Sequence, residues 1–107
     1  MATRRQEDEA SDIVKALDEY VRLAAGIPQV ASSVHVPGPE RDLFTYIDDR
    51  DEAVLDRLNS IEDRLFELFD DVMFDFHVFY LQGRPVEVMA PSTGRVMFSR
   101  GNDADAR

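Results

Sequence analysis

An α+β domain is what the sequence predicts: a small mixed sheet of three to four strands packed by two helices, in the order α-β-β-α-β-(β). Three observations carry that expectation. Two segments repeat apolar residues at the four- and three-residue spacing of a helix, β-branched and aromatic runs stand between Pro- and Gly-rich turns, and a helix-length segment separates the second run from the third. Strand-helix-strand connections within one sheet are right-handed crossovers, so those two strands should lie parallel.

The first helix is expected to start at a cap on Ser11 or Asp12, carry Ile13, Leu17, Val21 and Ala24 on its buried stripe, and stop at Gly26 and Pro28. Val30 to Val36 is β-branched and reads as a strand, with Val30, Ser32, Val34 and Val36 on one face and Ala31, Ser33 and His35 on the other. Pro37, Gly38 and Pro39 make a hairpin-length connection to a second, antiparallel strand over Asp42 to Asp48, with Leu43, Thr45 and Ile47 opposed by Phe44 and Tyr46.

The clearest element is a helix over about Asp51 to Asp70, whose stripe is Val54, Leu58, Ile61, Leu65 and Leu68. Asp48, Asp49, Asp51 and Glu52 stand at its start, where carboxylates accept free backbone amides and are favoured by the helix dipole. Met73 to Leu81 alternates as a strand, with Phe74, Phe76, Val78 and Tyr80 on one face and Asp75, His77, Phe79 and Leu81 on the other. Val86 to Ala90 fits either a short strand or a single helical turn. Pro91 to Gly94 then turns the chain into a last strand over Arg95 to Arg100.

The chain has 107 residues, so one core, with 12 basic and 22 acidic side chains giving a net charge of -10, and no Cys. We expect one domain over 11–100, between a flexible acidic segment at 1–10 and a flexible tail at 101–107. The charge opposes binding to nucleic acid and to anionic membranes, and no apolar run is long enough for a signal peptide or membrane span. A cytoplasmic setting follows as the expectation. Without Cys, thiolate catalysis and cysteine-ligated zinc are excluded. There is no Gly-rich phosphate loop and no Gly-x-Ser-x-Gly elbow.

Two places could carry function. If both helices cover one sheet face, the other presents Phe44, Tyr46, Phe79, Leu81 and Met97, too apolar to stand bare. That points to a non-enzymatic module acting by self-association as a homodimer, or by docking another protein, with no cofactor. The competing account has the chain's own helix, loop or terminal segment cross to that side.

The second place is one end of the sheet, where the topology gathers His35, Asp42, Asp75 and His77. Among them His35, Asp75 and His77 could converge on a divalent metal ion, since two imidazoles and a carboxylate suit iron or zinc. The ordinary alternative is His77 hydrogen-bonded to a neighbouring carboxylate. The Asp48, Asp49 and Asp51 group lies at the far end of the second strand and cannot contribute.

The order helix, strand, hairpin turn, strand, helix, strand is similar to the core of minimal nucleotidyltransferases, and Asp75 falls on the strand where that family places its third metal-binding carboxylate. The resemblance implies a metal-dependent or degenerate nucleotidyltransferase-like enzyme as the alternative function. Where that family carries Gly-Ser and Asp-x-Asp, this chain has Pro37-Gly38-Pro39 and Asp42-Leu43-Phe44, which lacks the second carboxylate needed to hold two magnesium ions.

Overall fold

The computed structural model describes residues 2–38, 41–70 and 72–99, with side chains from residue 12 onward. Helix α1 runs over Ala2–Ala25, strands β1 and β2 over Val30–Val36 and Asp42–Ile47, and helix α2 over Glu52–Leu68. Strand β3 (Asp75–Tyr80), the one-turn helix α3 (Val86–Met89) and strand β4 (Arg95–Ser99) complete the α+β fold. The four strands form one mixed sheet in the order β3-β2-β1-β4. β1 is antiparallel to both β2 and β4, whereas β2 and β3, joined through α2, are parallel neighbours.

Both long helices pack on the same side of the sheet. Tyr20, Ala24, Leu58 and Leu65 from the helices meet Val30, Leu43 and Ile47 from the strands in one buried cluster, the apolar stripes at helical spacing finding the apolar face of the pleat. Asp51 caps α2, its side chain accepting from the amides of Ala53 and Val54 at 3.0 and 3.3 Å. Asp48 does different work: its carboxylate and carbonyl accept from the amides of Gly83 and Gln82, at 2.6 and 2.8 Å. That pairing holds the turn after β3, where Gln82 and Gly83 both have positive φ.

Helix α1 starts at Ala2, well before the cap expected at Ser11 or Asp12. Residues ahead of Ile13 lack an apolar stripe, so periodicity gives no sign of helix there, while Arg, Glu and Ala extend one readily. Residues 1 and 101–107, which include the expected C-terminal tail, lie outside the described residues. The ambiguous segment at 86–90 is the single helical turn.

Two irregularities decide which side chains share a face. β1 pairs Val30 with Ile47 but Ser32 with Tyr46, so Ala31 is an extra residue and Val30 moves to the helix side. β4 pairs Val96 with Val34 but Phe98 with Ser33, which leaves Met97 as the extra residue there. Among the described residues no helix is long and apolar enough to cross a membrane.

Candidate functional site

Strand β3 ends the sheet. Its inner edge is fully engaged with β2 in an unbroken register from Asp42 opposite Asp75 to Ile47 opposite Tyr80. The amides of Asp75 and Leu81 both point inward, to the carbonyls of Arg41 and Ile47. Because successive residues of a strand turn their backbone groups to opposite edges, Phe76, Val78 and Tyr80 present theirs to the outside. Arg84 donates to the Tyr80 carbonyl at 3.0 Å. Among the described residues no strand pairs with the rest of that edge.

Apolar groups flank this edge above and below. On the helix side Phe66 of α2, 40% exposed, sits edge-on to Phe76 with ring centres 6.4 Å apart. On the other side Phe79 contacts Phe44 edge-on at 5.0 Å and stacks on Tyr46 at 5.6 Å. From Asp75 to Tyr80 no residue is buried.

The face away from the long helices is partly sheltered by the chain itself. Val86, Met89 and Ala90 lie on Val34, Tyr46 and Leu81, and the Tyr46 hydroxyl donates to the Met89 carbonyl at 3.4 Å. Of the five residues expected to form one bare face, Tyr46 and Leu81 are thus buried, at 0% and 6% exposure, while Phe44 and Phe79 remain half-buried. Met97 belongs to the opposite side: as the bulged residue of β4 it packs against the helix-face core. Sequence alternation could not show this, because a single inserted residue reverses the facing of those around it.

The expected His35, Asp75 and His77 triad does not assemble. His35 is registered with Leu43, and Leu43 with Phe76, so His35 shares the helix-packed face, where it is 8% exposed and edge-on to Phe74. Its Nε2 has no hydrogen-bond partner. Burial, aided by the charges of Arg95 and Arg41, holds its pKa below the ordinary value.

Asp42 takes the place expected for His35. It pairs with Asp75, one position before Leu43 pairs with Phe76, so both carboxylates stand on the face away from the long helices, as does His77. His77 Nε2 lies 3.1 Å from Asp42 Oδ1 and 3.6 Å from Asp75 Oδ2. The facing of His35 is set by its register with Leu43, and that of Asp42 by its register with Asp75, which alternation within a single strand does not give. Phe44, two residues after Asp42, fills the place of a second strand carboxylate and lies edge-on to His77 at 5.0 Å, so the Asp-x-Asp pair of nucleotidyltransferases has no counterpart. No protein-family model matches the chain, and no curated protein or solved structure matches it either.

Proposed function

We propose that the protein is a non-enzymatic association module whose working surface is the outer edge of β3, joined antiparallel to β3 of a second copy around a two-fold axis near the middle of the strand. The observation that carries this reading is the unprotected edge. Sheet edges exposed to solvent are normally blunted by Lys, Pro, a bulge or a covering segment. Phe76 to Tyr80 has none of the first three, its register with β2 is regular, and among the described residues only the Tyr80 carbonyl is capped.

A two-fold axis makes the same strand serve as both partners, which is the commonest way a chain with one sticky edge closes into a finite assembly. Pairing would satisfy the outward backbone groups of Phe76 and Val78 and extend the apolar flanks, Phe66 and Phe76 on one side and Phe44 and Phe79 on the other. The opposite edge, β4, carries the bulge at Met97 and begins with Arg95, both of which discourage continuation.

Charge gives the reading a distinctive signature. Two chains of net charge -10 repel, but β3 itself carries only the Asp75 carboxylate and His77. Association should therefore tighten as salt screens the long-range repulsion, the reverse of a contact built on ion pairs. Sedimentation equilibrium across a concentration series, at low salt and at moderate salt, tests this. The expected result is a species of twice the 12.2 kDa chain mass that Val78→Pro abolishes, since Pro removes an outward amide from an edge where it is otherwise tolerated. A monomer at high micromolar concentration in both salts would overturn the proposal.

A further inference from the structure

We infer that Asp42, Asp75 and His77 form a binding site for a first-row divalent transition-metal ion such as zinc. One ligand atom from each of the three lies within 4.8 Å of the others. Zinc bonds to carboxylate oxygen and imidazole nitrogen are about 2.0–2.2 Å long, which sets ligand atoms about 3.3 Å apart around a tetrahedral ion. The His77 distances of 3.1 and 3.6 Å already bracket that spacing. Closure then needs only a rotation of Asp75, whose side chain is 58% exposed.

The arrangement is held from beneath and beside. Asp42 and Asp75 occupy directly paired positions on neighbouring parallel strands, and the Asp75 amide donates to the Arg41 carbonyl at 3.2 Å. The imidazole is fixed by Phe44 on its edge and by Phe79, which stacks on it at 6.2 Å with an interplanar angle of 21°. Nε2 faces the carboxylates, 3.1 Å from Asp42 Oδ1 and 3.6 Å from Asp75 Oδ2.

Without a metal ion the hydrogen bond between His77 Nε2 and Asp42 Oδ1 satisfies only part of this geometry. Like charges at paired strand positions repel, and Nε2 carries at most one hydrogen, which serves one carboxylate at a time. A divalent ion satisfies both carboxylates and accepts the Nε2 lone pair. The ligand set also selects the ion: imidazole is foreign to calcium and magnesium sites, and the absence of thiolate disfavours copper(I). Three protein ligands with His77 36% exposed leave room for water or an external donor, the open form of a zinc site.

The test is calorimetric titration of the chelator-treated 107-residue chain with zinc chloride, alongside proton NMR of His77. One ion per chain is expected, with affinity at least tenfold weaker in His77→Ala and in Asp42→Asn and unchanged in Asp49→Asn, an exposed carboxylate at the far end of β2. In the unsubstituted chain the His77 Cε1 proton should shift at the first equivalent, a readout independent of whether the variants fold. No saturable binding, equal affinity in His77→Ala, or a His77 resonance that stays in place at one equivalent would each overturn the inference.

Discussion

The hydroxyl of Tyr20, on α1, is hydrogen-bonded to the hydroxyl of Thr45, on β2, in the fully buried layer between helix and sheet. It is a polar tie across a mainly apolar contact, and it links α1 to the centre of the sheet. Burying a hydroxyl costs free energy unless it is paired.

Thr45→Val keeps the volume of the side chain and strands the Tyr20 hydroxyl. We expect a loss of about 1–3 kcal/mol, the cost of an unsatisfied buried donor. Tyr20→Phe combined with Thr45→Val should recover part of that loss, because neither polar group then remains unpaired. Chemical denaturation of the two single variants and the double variant measures the coupling.

Asp51 and Asp48 lie three residues apart and serve different elements, the first capping α2 and the second holding the Gln82–Gly83 turn. Asp51→Ala should cost about 0.5–2 kcal/mol, the usual range for a lost N-cap. Asp51→Ser should retain most of the stability, since a hydroxyl can accept the same amides. Thermal melts by far-UV circular dichroism distinguish the two.

Most of the fold was legible because its elements announce themselves locally. Of the expected α2 stripe, Val54, Leu58, Ile61 and Leu65 are the buried face observed whereas Leu68, at the last turn, is 49% exposed, and the expected β1 boundaries, Val30 and Val36, are the ones found. What could not be read is what depends on counting across strands. Ala31 and Met97 are bulges with no local signature, yet they decide that Val30 faces the helices and that Met97 leaves the face shared by Phe44 and Phe79. The expected grouping of His35 with Asp75 and His77 fails for a related reason: proximity at one sheet end is fixed by topology, whereas facing is fixed by register. The expectation that something must cover Tyr46 and Leu81 follows from their apolarity. That the cover is α3 depends on a four-residue helix too short to show periodicity.

Gly94 makes a close approach that no other residue would tolerate. A Cβ there would lie 2.4 Å from Val34 Cγ1, and Val34 is completely buried. The backbone of Gly94 is not in the left-handed region, so the constraint is contact, not conformation. Gly94→Ala should destabilise the chain by about 1–3 kcal/mol through overpacking. In combination with Val34→Ala the penalty should be well below the sum of the single losses, because the smaller residue vacates the contested space. Equilibrium urea unfolding of the three variants reads the difference.

His35 and Tyr20 set opposite limits on the pH range of full stability. His35 is buried with its pKa held below the ordinary value, chiefly by desolvation. The unfolded chain then takes up its proton first, so stability is complete above the ordinary imidazole pKa of about 6.5 and declines as pH falls from there through the folded-state value. Tyr20 is shifted the other way: burial pushes its phenol up to about 12, against the pull of the Thr45 hydrogen bond. The unfolded chain loses that proton first, so stability present below about pH 10 is lost as pH rises toward the folded value, by roughly 2–3 kcal/mol for a shift of this size. Burial raises Tyr46 in the same direction, so Tyr20→Phe should shrink the alkaline decline without abolishing it. His35→Gln should flatten the acid limb between about pH 6.5 and 5 relative to the parent. Urea midpoints measured from pH 5 to 11 in the parent and both variants check each limb separately, and an acid limb unchanged in His35→Gln would assign it to carboxylates instead.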